Sequence, residues 1–114
     1  MVLDCLFCRM AVGEIAAEKL YDDDLVFAVR DINPRAPAHV LVIPKEHIAT
    51  ARDLTVEQAS LLGAIFGAAN KVAGDLGIAD AGYRLAINVG DDGGQTIYHL
   101  HLHLLGGHKL GPEG

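Results

Sequence analysis

The chain lacks any apolar run of about 18 residues, the length a helix needs to cross a bilayer, so no membrane partner is expected. It lacks a basic N-terminal region followed by a long apolar stretch, so no secretory signal is visible. It has only two cysteines, Cys5 and Cys8. Two residues between them is metal or redox spacing, not a disulfide framework, and a cytoplasmic location is the default. Basic residues are few: nine Lys and Arg stand against 15 Asp and Glu, giving −6 with neutral histidines. That balance argues against non-specific binding of nucleic acid duplexes, which needs a basic surface. A small phosphorylated ligand stays open, because its charge can be met locally. There is no internal repeat, linker or second-domain boundary, so residues 1–114 are expected to form one domain with one modest core. At 51% hydrophobic and 21% charged, the composition is that of a globular chain.

What the chain does have is His99-Leu100-His101-Leu102-His103, inside residues 98–105. Three imidazoles alternate with leucines. A strand puts residues i, i+2 and i+4 on one face, ~6.6 Å apart per step. The histidines would share one face and Leu100, Leu102 and Leu104 the core face. A helix would leave neither face coherent. Imidazoles can donate, accept, ligate a metal or attack an electrophile near neutral pH.

Upstream, a short helix is predicted over 6–12, capped by Asp4 and ended by Gly13. Strands are predicted at 19–21 and 25–30, with Asp22-Asp23-Asp24 as the turn between them. Two prolines punctuate a loop at 31–37, and the apolar run 39–43, stopped by Pro44, reads as a central strand opened by His39. After a connector at 45–53, Thr55-x-x-Gln58 is a capping-box pattern. It opens the longest helix, 55–76, with one apolar stripe through Leu61, Leu62, Ile65, Ala69, Val72, Ala73 and Leu76. Gly63 and Gly67 weaken that helix and permit close approach of another backbone. A strand at 83–89 and a glycine-rich loop at 90–96 lead into the histidine row. The sum is an α+β pattern: a mainly antiparallel sheet of about five strands, one long helix and a short N-terminal helix.

Two chemistries suit the row. Tetrahedral zinc with three imidazoles is one, although three same-face positions on a strand are hard for a single ion to reach. Nucleophilic attack by the middle imidazole is the other. Gly93 and Gly94 let a backbone approach a phosphate and could offer N–H groups to an anion, with Gln95 and Thr96 adding side-chain donors. An anion loop directly before an imidazole row favours phosphoryl or nucleotidyl transfer.

The run from Gly93 to Gly107 resembles the signature of the histidine-triad (HIT) nucleotide-binding family, His-φ-His-φ-His-φ-φ with φ hydrophobic. Asp31-Ile32-Asn33-Pro34-Arg35-Ala36-Pro37-Ala38-His39 matches the family's ribose-side loop, and Tyr83-Arg84-Leu85 with Asn88 matches the strand before the glycine loop. The Gly-Gly ending and short tail resemble the Hint branch.

The resemblance implies a hydrolase for purine nucleoside phosphoramidates or acyl nucleotides, acting through a covalent nucleotidyl-histidine on His101. His99 would hold the second nitrogen of His101 through its carbonyl. His103 would contact phosphate oxygens, His39 would complete the imidazole cluster, and Thr96 would donate to phosphate or leaving group. Asp31 would bind the ribose hydroxyls. Asn88, Gly94 and Gln95 would surround the phosphate, and Ile32, Leu41 and Phe7 would flank the base. No metal is needed for that reaction. Some members bind a structural zinc, and the matching residues here are Cys5, Cys8, His47 and His99, a complete Cys₂His₂ set. A homodimer is implied, with the long helix and an edge strand at its interface. A non-catalytic nucleotide-binding or scaffold protein, a diadenosine polyphosphate hydrolase and a metal-dependent hydrolase are the alternatives.

Overall fold

A computed structural model describes residues 5–113. Helix α1 (Leu6–Ala11) precedes strands β1 (Lys19–Asp22), β2 (Val26–Arg30) and β3 (Ala38–Pro44). Two 3-10 turns, Ala51–Asp53 and Val56–Gln58, lead into α2 (Ala59–Asp75), followed by β4 (Tyr83–Ala86) and β5 (Leu102–Gly106). The strands form one antiparallel sheet in the order β1-β2-β3-β5-β4. No helix among the described residues is long and apolar enough to cross a membrane.

Strand β3 is buried along its whole length, as a central strand should be, because each face of the sheet carries its own core. On one face Val26, Ala28, Val40, Val42, Leu100, Leu102 and Leu104 pack with Ile65, Ala69 and Val72 of α2. On the other, Phe27, Val29, Leu41 and Ile43 pack with Cys5, Phe7 and Cys8 at α1. The apolar stripe of α2 therefore covers one face, and the histidines occupy the other.

Several boundaries differ from the predicted ones. Asp4 lies outside the described residues; the cap of α1 is Cys5, whose sulfur accepts the Cys8 N–H at 3.3 Å. In the acidic turn, Asp23 accepts the N–H groups of Leu25 and Val26, and Asp22 pairs with Lys45 at 2.7 Å. The capping box forms, with Thr55 N–H donating to Gln58 Oε1 at 2.7 Å, but it opens a 3-10 turn and α2 starts only at Ala59. Strand β4 stops at Ala86, short of the predicted 89.

The histidine row is only partly strand. β5 begins at Leu102, leaving His99 and His101 ahead of it. Val42 pairs with Leu102, so continuing that register would set Pro44 opposite Leu100. Proline has no N–H to donate to a ladder. The Leu100 N–H turns instead to Ile48 O at 2.6 Å. The alternation survives, since leucines and histidines still fall on opposite sides.

Candidate active site

Hydrogen-bond partners decide which nitrogen of each imidazole carries its proton. The Arg35 backbone N–H donates to His39 Nδ1 at 3.1 Å, so His39 keeps its proton on Nε2. That Nε2–H lies 2.9 Å from His103 Nδ1 and 3.4 Å from an Asp31 carboxylate oxygen. His103 therefore accepts at Nδ1 and presents Nε2–H as a donor. His101 is set the opposite way. Its Nδ1 lies 2.7 Å from the His99 carbonyl oxygen, which can only accept. A neutral His101 thus carries Nδ1–H and a bare lone pair on Nε2.

His101 and His103 line one cleft of about 610 Å³. A bare nitrogen and an N–H donor stand side by side there, with ring centroids 5.0 Å apart. The rings of His39 and His103 stay neutral near pH 7. Burial pushes the His39 pKa down against the opposing pull of Asp31. Burial, and then the charges of His101, His39 and Arg35, push His103 down to about 4.

Asp31, Ile32, Leu41, Phe7, Asn88, Gly94 and Thr96 line the same cleft. Phe7 and Leu41 are also core residues, whereas Ile32 is 91% exposed on the rim. Asp31 accepts the Asn33 N–H at 2.8 Å through one oxygen and faces His39 with the other. Thr96 is exposed at the cleft.

Gln95 goes elsewhere than its predicted place among phosphate donors. It is buried and does not line the cleft. Its Nε2 donates to Ala49 O at 2.8 Å and Ile97 O at 3.0 Å, while its Oε1 accepts the Gly90 N–H at 3.0 Å. The carboxamide is spent on bracing the loop.

The expectation that Gly94 offers its amide to an anion is corrected too. The Gly94 N–H donates to Asp91 O at 3.0 Å. Asn88 Nδ2 closes the loop from outside, on Gly93 O at 2.7 Å, and Tyr98 hydroxyl donates to Asp91. Gly93 is enforced by space: a Cβ there would lie 2.4 Å from Val89 O. Gly94 is enforced by its φ of +86°.

Arg30, Arg35 and Ile97 also line the cleft, and sequence reasoning assigned none of them. Arg35 was legible only as part of the 31–39 segment, and its spacing from His39 carries no recognisable pattern.

A second cluster lies behind the row. One ligand atom each from Cys5, Cys8, His47 and His99 falls within 4.8 Å of the others. Cys5 Sγ is 3.2 Å and Cys8 Sγ 3.5 Å from His99 Nδ1, and His47 Nδ1 is 3.2 Å from both Cys8 Sγ and His99 Nδ1. His99 Nε2 lies 2.7 Å from Pro44 O, so the proton sits there and Nδ1 points into the cluster bare. Burial lowers the His99 pKa, which also favours the neutral, ligating form. Ligands sharing one tetrahedral zinc stand roughly 3.3–3.7 Å apart, from bond lengths of about 2.0–2.3 Å. The donor set fits such an ion.

An antiparallel sheet that sets an imidazole anchored at Nδ1 beside a donor imidazole and a braced glycine loop can offer a lone pair and a donor proton to one bound electrophile, chemistry open to a hydrolase. The comparisons agree with that class. The HIT domain family matches residues 12–110, and the chain belongs to that family. A purine nucleoside phosphoramidase of Escherichia coli K12 is 46% identical over 112 residues, covering 98% of this chain and 94% of the relative. A HIT family hydrolase from Clostridium thermocellum is 50% identical, with a TM-score of 0.95 over 99% of this chain and 98% of the other. A histidine triad protein from Clostridium difficile is 41% identical, with a TM-score of 0.95 over 100% and 99%.

Proposed function

We propose that this chain hydrolyses purine nucleoside phosphoramidates, or acyl nucleotides, to the nucleoside monophosphate through a nucleotidyl-His101 intermediate. The observation that carries the reading is the 2.7 Å contact between His101 Nδ1 and the His99 carbonyl, which leaves Nε2 to the cleft. In the first step the Nε2 lone pair forms a bond to the α-phosphorus, and the P–N or P–O bond to the leaving group breaks. The leaving amine departs with a proton relayed from solvent water by the Thr96 hydroxyl, and the attacking water returns one proton to solvent in the second step. Water then adds to phosphorus, the P–Nε2 bond breaks, and the imidazole regains its lone pair. His103 Nε2–H donates to a phosphate oxygen as charge builds. Thr96 hydroxyl serves the phosphate or leaving group, and Asn88 holds the loop beside it. Asp31 accepts from the ribose diol. Phe7, Leu41 and Ile32 flank the base.

Cys5, Cys8, His47 and His99 would hold a structural zinc, which when bound would cross-link α1, the 45–50 stretch and the histidine row. Paired thiols of this kind suit a reducing cytoplasm. A homodimer is part of the same reading. Its support is on α2, where a Cβ added at Gly63 or Gly67 would meet nothing within 4 Å and Phe66 is partly exposed. Strand β4 adds a free sheet edge.

The test is His101→Ala assayed with an adenosine phosphoramidate. Turnover falls by at least about a thousandfold while the affinity for AMP stays within about threefold. Wild-type single-turnover rates in that variant would overturn the assignment.

A further inference from the structure

The four residues of the Cys₂His₂ cluster come from three separate segments: α1 and the histidine row line the cleft themselves, and the 45–50 stretch supports it from behind through backbone carbonyls. Cys5 and Cys8 bracket Phe7 on α1, a helix of only six residues that has little stability of its own. Phe7 stands edge-on to His101 and His99, with ring centroids 5.2 Å and 5.8 Å away, and forms part of the cleft lining.

His47 lies in a stretch, 45–50, that belongs to no helix or strand. The two carbonyls that follow it each hold part of the site. Ile48 O accepts the Leu100 N–H at 2.6 Å, between the first two histidines of the row. Ala49 O accepts Gln95 Nε2 at 2.8 Å, and Gln95 in turn accepts the Gly90 N–H on which the glycine loop turns. His99 is itself the residue whose carbonyl orients His101.

We infer that Cys5, Cys8 and His47 are positioning residues for the reaction at His101: metal held by the cluster sets how tightly the cleft binds nucleotide and keeps His101 in its Nδ1–H tautomer. The inference rests on the zinc reading above. Physically, an ion shared by the four ligands fixes three segments relative to one another. Without it, Phe7 is positioned only by its own packing and the glycine loop and the His99 carbonyl only by their hydrogen bonds, so each shifts more readily against the others while the sheet and α2 keep their own cores. Because coupling between two sites is reciprocal, bound nucleotide must also tighten the hold on the metal by the same factor.

The experiment compares the full-length protein loaded with zinc, stripped by a strong chelator, and reloaded with zinc. Three quantities are followed: zinc per chain, far-UV circular dichroism, and AMP affinity by calorimetry. The ¹⁵N chemical shifts of His101 report its tautomer in each state. The expected result is a stripped protein that keeps its native spectrum, binds AMP at least about tenfold more weakly, and shows mixed His101 tautomers, all reversed by zinc. Saturating AMP then raises zinc affinity by the same factor.

Equal AMP affinity and an unchanged His101 tautomer in stripped, folded protein would overturn the inference and leave the zinc reading standing. Loss of the native spectrum on stripping would also overturn it, because the cluster would then hold the fold rather than the cleft. A native protein that neither carries nor takes up zinc removes the zinc reading, and the inference with it.

Discussion

The backbone carbonyl of His99 lies 2.7 Å from Nδ1 of His101, two residues ahead in the same row. The first histidine therefore acts on the second through its main chain, while its ring points away into the cysteine cluster. The third histidine receives its orientation from a different source, since the Arg35 N–H fixes His39 and His39 fixes His103. Two independent hydrogen-bond chains converge on one cleft. One delivers a lone pair and the other a donor proton.

Stability follows pH through these buried rings. His103 titrates at about 4 in the folded chain against 6.5 when exposed, and His39 and His99 are shifted in the same direction. Between those values the unfolded chain binds more protons, so stability rises with pH. The contribution is complete above about pH 6.5 and is lost as pH falls through about 4. One ring shifted this far is worth on the order of 3 kcal/mol, at ~1.4 kcal/mol per pKa unit. Urea unfolding at pH 7.5 and pH 4.5 measures it, with His103→Gln as the control. The wild type is expected to be weaker at the lower pH and the variant to show a flatter dependence. A wild type as stable at pH 4.5 as at pH 7.5 would contradict the assignment.

Gln95 is a brace rather than a ligand. Truncation in Gln95→Ala strands the Gly90 N–H and the Ala49 and Ile97 carbonyls that the amide now satisfies. The expected loss is about 1–3 kcal/mol of stability, with weaker nucleotide binding because the glycine loop is released. Thermal unfolding and AMP calorimetry separate the two effects. Unchanged stability would return Gln95 to the set of phosphate donors.

Gly93 and Gly94 fail differently when substituted. Gly93→Ala drives a methyl into Val89 O, a backbone atom that cannot swing aside. Gly94→Ala meets no backbone atom within 4 Å but must hold a φ near +86°, which costs about 1–2 kcal/mol. Gly93→Ala is therefore expected to be the more damaging of the two to both stability and turnover, as thermal melts and kcat/KM would show.

The fold was legible where pattern and chemistry agree. The alternating leucines marked the buried side of the row, and the all-apolar 39–43 run marked the central strand. Thr55 and Gln58 marked the start of the helical segment. The extent of β5 was less legible, because its shortening depends on Pro44, which is distant in sequence and adjacent only in the sheet. Gln95 was misplaced for a similar reason. Its residue type announces a donor, but its direction is set by Ala49, 46 positions away. The Gly94 amide looked available because glycine loops often present such groups, and a local turn to Asp91 had already taken it.

The proposed intermediate is a covalent bond between His101 Nε2 and the α-phosphorus of the substrate. The most direct measurement is rapid acid-free quenching of the enzyme during turnover of an adenosine phosphoramidate, followed by peptide mapping in the mass spectrometer. One adenylyl group on the peptide carrying His101, absent in His101→Ala, is the predicted result. An adenylyl group on another residue, or undiminished turnover by His101→Ala, would contradict it.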